Sequence, residues 1–310
     1  MNVDAVLTSL LASAMIAAVP LTLASVGEAI GERGGILNLG LEGILLLAAF
    51  AGFWAALRAD HLGIGLAVGT VVGALTGALF GLAVTRLGAD QVVLGLALTL
   101  AGAGLSGFLY RETFGSEQPL LAASMGRPLA GTFDALPVIG PALFDQKWIV
   151  YVSWVIVALV AVLLNRTPFG RSVRAVGEAP FAADAVGVPV QRVRLTAATL
   201  TGALTGLGGA SLAVAELGLF RPGMTVGLGF VAIAMTMLGR WDPVRIAVAA
   251  LAFGLLRSAG VGLQIAGVDV RVEFVQTLPY LGVILGLILF ARGIRMPAAL
   301  GVAYRRGTDS

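Results

Sequence analysis

Apolar residues occur along the chain in long runs that are separated by short polar or basic stretches. About 20 mostly apolar residues are enough for an α-helix to cross the hydrocarbon core of a bilayer. The sequence therefore predicts an all-α, polytopic membrane protein with one transmembrane domain over residues 1–310 and about nine transmembrane helices, with boundaries good to a few residues. The predicted spans are residues 5–29, 39–57, 64–86, 91–110, 148–164, 195–215, 225–238, 245–263 and 274–291.

The seventh run, residues 225–238, is short enough to enter the membrane and return on the same side, and charge decides between the two topologies. The C-terminal tail carries Arg292, Arg295, Arg305 and Arg306. Basic residues concentrate in cytoplasmic loops, so a spanning seventh run is favoured because it places these four arginines inside. The predicted topology has the N-terminus outside and the C-terminus in the cytoplasm of a multi-pass cell-membrane protein. It puts 13 of the 20 basic residues inside and six outside, with Arg257 within a span.

Residues 165–194 form a basic segment between two apolar runs, with five arginines against two acidic residues. This excess of positive charge marks the segment as cytoplasmic. Pro180 suits the first turn of a helix, Gly187 suits the position past its end, and Pro189 prevents the helix from resuming. We therefore predict a short rigid helix of about two turns over residues 181–186.

The longest predicted non-helical segment, residues 111–146, contains four prolines and lies outside in this topology. Loops of this length often have a function of their own. The segment either caps the ends of the spans or docks an external partner, and its composition favours neither.

Composition supports a lipid environment and narrows the possible chemistry. Hydrophobic residues make up 58% of the chain and charged residues 12%, whereas soluble domains carry about 25% charged residues. The net charge of +3 does not indicate nucleic-acid binding, because the arginines lie at the ends of the spans. With no cysteine and one histidine, His61, the chain offers no disulfide, no thiolate site and no multi-histidine metal site. The N-terminal run lacks a basic leading region, so we interpret it as a first span, not a signal peptide.

The stretch GERGGILNLGLEG, residues 31–43, interrupts the apolar pattern between the first two spans. We interpret Glu32 and Arg33 as solvated residues of a cytoplasmic turn. Asn38 and Glu42 have the i, i+4 spacing of residues that share one face of a helix. Ionisable side chains within spans usually face the bundle interior or a watery cavity, so Glu42 is a candidate for either the translocation path or packing.

Other polar residues within the spans are further candidates for the lining of a path. They are Gln91, Thr99, Ser106 and Thr236. For the three hydroxyl residues we expect hydrogen bonds to the backbone of their own helices. Gln91 follows Asp90, which we interpret as a helix N-cap. Arg257 requires a partner, for which Asp269 and Glu273 are the candidates.

The sequence also excludes one source of energy. A phosphate-binding P-loop ends in Gly-Lys followed by Ser or Thr, and the single lysine, Lys147, follows Gln146 and precedes Trp148. The chain therefore has no Walker A site, so an ATP-driven process would require a separate ATPase.

Several motifs resemble one family. GERGGILNLGLEG at 31–43, TPFGRSVRAVGEAPFAADAVGV in the basic segment, VGLGFVAIAMTMLGRWDP at 226–243 and FVQTLPYLGVILGLILF at 274–290 resemble, in this order, permease subunits of bacterial ABC importers for nucleosides and simple sugars. The broader group includes ribose and branched-chain amino-acid permeases.

The resemblance implies a type II-like permease that pairs with a second, homologous permease subunit in the membrane lipid. It also implies a two-copy or fused cytoplasmic ATPase, which would hold ATP and Mg²⁺, and an external substrate-binding lipoprotein. The chain itself would bind no cofactor or metal and would not be an enzyme.

In this family context the short helix of the basic segment is predicted to couple the permease to the ATPase. The residues assigned to coupling are Arg171, Arg174, Gly177, Glu178, Pro180, Phe181, Asp184 and Gly187. The residues assigned to the path are Asn38, Glu42, Gln91, Thr99 and Thr236. The most favoured cargo is a nucleoside, and a pentose or galactoside is the alternative. Two other classes stay open: an ion-coupled transporter in which Glu28 and Glu42 carry protons, and a structural or sensory membrane protein.

Overall fold

The computed structural model describes residues 3–133, 138–265, 271–290 and 293–304, and no strand occurs among them. The helices are α1 Val3–Arg33, α2 Leu41–Ala59, α3 Leu62–Leu82, α4 Gln91–Phe114, α5 Ile139–Phe144, α6 Trp148–Arg166, α7 Pro168–Glu178, α8 Pro180–Ala185, α9 Val190–Ala210, α10 Leu228–Leu238, α11 Pro243–Ile265 and α12 Val272–Phe290. Two π-helical stretches, Ala83–Leu87 and Ser211–Leu217, extend α3 and α9.

Every predicted span overlaps a helix, which confirms the all-α prediction. Six helices within the described part of the chain are long and apolar enough to cross a membrane: Val6–Arg33, Leu41–Ala59, Leu62–Leu87, Gln91–Phe114, Trp148–Arg166 and Val190–Leu217. Leu228–Leu238 and Phe274–Phe290 are shorter apolar helices. The count of nine spans stays a prediction.

Helices α1, α2, α3 and α9 form the centre of the bundle, and small residues allow their close approach. Gly73 and Gly77 of α3 face Gly202 and Gly206 of α9, where an added Cβ would collide with the opposite backbone. Lipid provides no hydrophobic drive for helix association, so such backbone-to-backbone packing is the main source of attraction.

The bundle has two ends. We call one the basic end, and it comprises Arg33 at the end of α1, the helices α7 and α8, and residues 293–304. Hydrogen bonds from Ala299 N to Gly177 O and from Gly301 N to Gly35 O join residues 293–304 to the rest of this end. The opposite end contains α5 and most of residues 111–146. There Leu121 N donates to Gly218 O, and Arg127 pairs with Asp145 at 2.9 Å. Part of this predicted external loop, 134–137, lies outside the described residues.

Lys147 ties the opposite end to the bundle. Its Nζ donates a hydrogen bond to Ala215 O at the end of the α9 extension. Burial and the positive charge of Arg127 lower the pKa of Lys147, while Glu216 acts in the opposite direction. The described part of the segment 111–146 packs on the same end of the bundle, where Leu121 N donates to Gly218 O.

The segment that ends in α10 is helical over only part of its length, which refines the prediction for residues 225–238. The chain leaves the opposite end at Gly218, runs without an α-helix to Gly227, and then forms α10, which is 11 residues or about 16 Å long. Next to the end of α10, Trp241 reaches Glu32 at the basic end. The segment from Gly218 to Trp241 therefore runs from the opposite end of the bundle to the basic end, and only its second half is helical.

Helix α2 also begins inside the bundle. Leu41 and Leu228, the first residues of α2 and α10, share one hydrophobic cluster with Leu21 and Ala24 of α1. Those two residues lie nine to twelve positions before α1 ends, a distance of about 14–18 Å along its axis. Both helices therefore begin well inside the bundle and away from its basic end.

Candidate functional site

The carboxylate of Glu42 lies where the N-termini of α2 and α10 meet, and it caps α10. Glu42 Oε1 accepts hydrogen bonds from Thr225 Oγ1 at 2.6 Å and from Gly227 N at 2.8 Å, and Glu42 Oε2 accepts one from Gly229 N at 2.7 Å. We call these four residues the α2–α10 junction. The first N–H groups of a helix lack partners within it and carry partial positive charge, so a carboxylate stabilises them.

The junction depends on two glycines. An added Cβ at Gly229 would collide with the backbone of Glu42, so the two helices could not approach this closely. Gly227 has φ +84°, a left-handed conformation that favours glycine. The side chain of Glu42 is buried, with 8% of its surface exposed. The junction is therefore a closed contact in which both oxygens of the Glu42 carboxylate are paired.

Asn38 does not share a helical face with Glu42, so that prediction is wrong. Helix α2 starts at Leu41, and Asn38 lies in the non-helical stretch before it. Its backbone N donates to Glu28 Oε1 at 3.0 Å, and its side-chain Oδ1 accepts from Gly40 N at 2.9 Å. Asn38 thus holds the turn by which the chain enters α2.

Gln91 and Thr99 hold the same stretch from α4. Gln91 Oε1 accepts a hydrogen bond from Leu37 N at 2.8 Å, and Thr99 Oγ1 donates one to Leu39 O at 2.9 Å. The expectation that Thr99 bonds to its own helix is therefore wrong, because the non-helical backbone of residue 39 offers a free carbonyl. The prediction that Asp90 is the N-cap of this helix is confirmed by its bonds from Val92 N and Val93 N.

The other two hydroxyl residues behave more as expected. Ser106 donates to Ala103 O within its own helix at 3.2 Å. Thr236 is placed to donate to Ala232 O of its own helix at 3.0 Å and to Ser25 O of α1 at 2.8 Å, so it also joins two helices. Of the predicted path residues, each one is thus engaged with backbone groups.

A few buried polar atoms beside this region have no partner among the described residues. They are Asn38 Nδ2, Gln91 Nε2, Glu28 Oε2 and Glu32 Oε1. The prediction that Glu32 is solvated is wrong: 1% of its surface is exposed, and its Oε2 accepts a hydrogen bond from Trp241 Nε1. Helix α1 continues to Arg33, four residues past the predicted end of the span, and so carries Glu32 into the bundle.

The predicted short helix of the basic segment exists as α8. Pro180 occupies its first turn, and Gly187 follows its end with φ +88°. Gly187 N donates to Asp184 O and Val188 N donates to Ala183 O, both at 2.9 Å, which closes the C-terminus of the helix. The short helix predicted from the positions of Pro180, Gly187 and Pro189 is therefore confirmed.

The side chains assigned to coupling differ in exposure. Phe181 is 41% exposed, and its ring centroid lies 5.1 Å from that of Tyr304. Arg171 and Glu178 are exposed. Two more are half-buried: Arg174, whose Nη1 donates to Asn165 Oδ1 at 3.3 Å, and Asp184. These residues form one surface at the basic end around α8.

Gly177 anchors this surface to the bundle. It is buried at the end of α7, and an added Cβ would collide with Arg33 O at the end of α1. Its own carbonyl accepts the bond from Ala299 N at 2.8 Å. The position therefore requires glycine because α7 and α1 touch through their backbones.

Arg194 is a structural residue that sequence reasoning missed. Although predicted as one of five cytoplasmic loop arginines, it is 2% exposed. Its guanidinium donates to Gly34 O at 3.1 Å and to Val302 O at 2.8 Å, so it joins the end of α1 to the C-terminal tail. The signal was present in the sequence, since Val190, Val193 and Ala197 place Arg194 on the buried face of α9 by helical spacing.

Arg257 pairs with Glu216, which corrects the expectation for its partner. Arg257 Nη2 lies 3.1 Å from Glu216 Oε1. Of the two partners predicted, Asp269 lies outside the described residues, and nothing is described of the Glu273 side chain. The pair joins α11 to the end of the α9 extension.

Comparison with known proteins identifies the family to which this chain is similar. The family model described as the permease component of the branched-chain amino acid transport system matches residues 10–292. The nucleoside ABC transporter permease NupC of Lactococcus lactis subsp. cremoris is 34% identical, over 98% of this chain and 99% of that protein. The guanosine ABC transporter permease NupQ of Bacillus subtilis is 30% identical, over 99% of both.

A third relative has a different cargo in its name. The glucose ABC transporter permease TsgB13 of Haloferax volcanii is 30% identical, over 97% of this chain and 81% of that protein. These matches confirm the resemblance inferred from the four sequence motifs. The chain belongs to the family of branched-chain amino acid transport system permease components.

Proposed function

We propose that this chain is the transmembrane permease subunit of an ABC importer that carries nucleosides. The observation that carries the proposal is similarity over essentially the whole chain to a nucleoside permease and a guanosine permease, at 34% and 30% identity. Transport would proceed by alternating access, in which the subunit opens to one side of the membrane and then to the other.

The energy would come from ATP hydrolysis on partner chains. Helix α8 is the coupling helix in this proposal, and the exposed ring of Phe181 would insert into a groove of the ATPase. Two features support it: hydrogen bonds from Gly187 N and Val188 N close the C-terminus of α8, and the preceding helix α7 contacts the end of α1 through the backbones of Gly177 and Arg33. A push on α8 would therefore move α1. A flexible loop in the place of α8 would absorb the push instead.

The orientation and the remaining partners follow from this assignment. The basic end would face the cytoplasm, with the N-terminus outside, because an ATPase docks inside and because basic residues concentrate there. A second, homologous permease would complete the channel, and an external binding lipoprotein would deliver the cargo. ATP and Mg²⁺ would be held by the two-copy or fused ATPase.

The path residues are now unequal candidates. Glu42, Thr99 and Thr236 use their polar atoms to hold neighbouring elements together. Asn38 and Gln91 each keep an amide nitrogen without a partner among the described residues, so we propose these two as the polar groups that a moving nucleoside meets. Both are buried in the described conformation, which would then be closed at this depth.

A sugar importer is the second candidate, and the identity to a glucose permease favours it. The two cargoes can be separated with the external binding protein that this proposal requires, tested by thermal shift against guanosine, uridine, glucose and ribose. Stabilisation by nucleosides alone supports the proposal. Stabilisation by a sugar and by no nucleoside would overturn the nucleoside cargo and leave the permease role intact.

A further inference from the structure

An apolar groove runs between α10, α11 and α12 on the outside of the bundle. Its cavity volume is about 490 Å³. Its walls are formed by hydrophobic side chains, among them Leu238, Val248, Phe253, Leu256 and Phe290. A groove of this composition suits an aliphatic ligand.

Two arginines lie at the end of this groove that faces the basic end. Arg240 and Arg245 belong to its lining, and both are exposed. They lie on the turn between α10 and α11 and on the first turn of α11. A cation in the first turn of a helix opposes the helix dipole, so the placement of Arg245 does not serve helix stability.

The turn that carries these arginines is fixed. Trp241 N donates to Thr236 O at 3.0 Å, and Asp242 Oδ1 accepts from Arg245 N at 3.0 Å. Gly239 packs directly on Ile246 of α11, where an added Cβ would collide. The backbone that carries both arginines at the lining of the groove is therefore held in place.

A second cleft of about 240 Å³ adjoins the first and shares Arg240. It adds three more arginines, Arg33, Arg174 and Arg295, and one acidic residue, Glu178. Among the described residues, the two clefts together are lined by five arginines and by one carboxylate, that of Glu178. Two further carboxylates lie close by: Glu32, which accepts a hydrogen bond from Trp241, and Asp242, which precedes α11. This surplus of positive charge attracts an anion.

We propose that the groove and the two arginines bind one anionic phospholipid, with an acyl chain in the groove and the phosphate on Arg240 and Arg245. An apolar slot that ends in cationic groups matches an amphiphile with a negative head. Basic pockets between transmembrane helices bind the head groups of anionic lipids. A soluble anion would use only the arginines and would leave the apolar groove unfilled.

The site lies beside the coupling surface, since Arg174 and Glu178 line the adjoining cleft. A lipid phosphate there would offset the repulsion among the clustered arginines and hold the turn after α10 against the end of α7. This lipid site is independent of the nature of the cargo.

The test is native mass spectrometry of the full-length chain in mild detergent, titrated with phosphatidylglycerol or with phosphatidylcholine. We expect one phosphatidylglycerol to bind at least about tenfold more tightly than phosphatidylcholine, which corresponds to about 1.4 kcal/mol. The double variant Arg240→Gln/Arg245→Gln is expected to lose this preference. The matched control Arg166→Gln/Arg192→Gln removes two exposed arginines near the same end, outside both clefts, and is expected to keep it.

A second arm tests the groove without touching charge. Ala252 lines it and is exposed, so Ala252→Phe fills it and is expected to weaken phosphatidylglycerol binding at least about fivefold. The variant Arg240→Lys/Arg245→Lys keeps the charges and is expected to retain the preference. All variants are measured on the fraction that elutes as folded protein.

Three results would overturn the proposal. They are equal binding of the two lipids to the wild-type chain, loss of the preference in the control, and full phosphatidylglycerol binding by Ala252→Phe. Displacement of the lipid by millimolar inorganic phosphate would likewise assign the arginines to a soluble anion. Crosslinking of Ala252→Cys to a protein subunit in the assembled transporter, with no lipid retained, would assign the groove to a protein contact.

Discussion

The change Glu42→Gln tests the role of the α2–α10 junction, because it removes the charge and keeps the shape of the side chain. In the wild type the carboxylate accepts three hydrogen bonds, from Thr225, Gly227 and Gly229. A glutamine can keep the first two with its carbonyl oxygen. Its amide group then faces the N–H of Gly229, donor against donor.

The cost follows from these contacts. A buried donor left without an acceptor costs about 1–3 kcal/mol. Loss of the negative charge at a helix N-terminus costs about 0.3–1 kcal/mol more. The first turn of α10 is therefore expected to be destabilised by roughly 1.5–4 kcal/mol. Glu42→Ala leaves all three donors unpaired and is expected to cost more than Glu42→Gln.

Hydrogen exchange measures this effect at the place where it occurs. Amides of residues 227–231 are expected to exchange about ten- to several-hundredfold faster in Glu42→Gln, because about 1.4 kcal/mol corresponds to a factor of ten. The control is Glu112→Gln, an exposed carboxylate at the end of α4, which is expected to change neither exchange nor thermal stability. Unchanged protection of α10 in Glu42→Gln, together with lost uptake, would refute the capping role and return Glu42 to the path.

Three further predictions concern the basic end and the Arg257 pair. Phe181→Asp is expected to abolish ATPase association in a pull-down and to leave the folded yield unchanged, because the ring is 41% exposed. Gly177→Ala is expected to lower the melting temperature and to weaken coupling, measured as transport per ATP hydrolysed, because its Cβ would collide with Arg33 O. Arg257→Leu is expected to destabilise the chain by about 1–3 kcal/mol, because it leaves the mostly buried carboxylate of Glu216 without its charged partner while the 36% exposure of Arg257 screens the pair; a double change with Glu216→Leu is expected to recover part of that loss. Normal ATPase association by Phe181→Asp would contradict the first prediction, and an unchanged ratio of transport to ATP hydrolysis in Gly177→Ala would contradict the second. An unchanged melting temperature of Arg257→Leu would contradict the third.

Local backbone chemistry could be predicted from the sequence. Helix α8 was predicted because Pro180 and Gly187 restrict the backbone wherever they occur, and no distant residue is needed to read them. The apolar runs likewise predicted the helices, because the length and composition of each run are local features of the sequence. The helical spacing of the neighbouring apolar residues also indicates that Arg194 is buried. The prediction placed Arg194 in solvent because it counted this residue with the other arginines of the cytoplasmic loop.

Contacts between distant residues could not be predicted. The partners of Glu42 lie more than 180 positions further along the chain, and nothing in the local pattern around residue 42 indicates them. The helical i, i+4 rule failed for Asn38 because the helix begins at Leu41, after a turn that Glu28, Gln91 and Thr99 hold from elsewhere. Whether a polar residue lines a path or holds a turn depends on packing that a single sequence does not specify.

The central claim is that this chain transports nucleosides only as part of an ATP-driven assembly. The most direct test is uptake of radiolabelled guanosine into proteoliposomes that contain this chain, the second permease and the ATPase, with the binding protein outside and ATP inside. We predict uptake that requires ATP, the binding protein and this chain, and that is lost in Phe181→Asp. Guanosine uptake by this chain alone, driven by a proton gradient, would contradict the account.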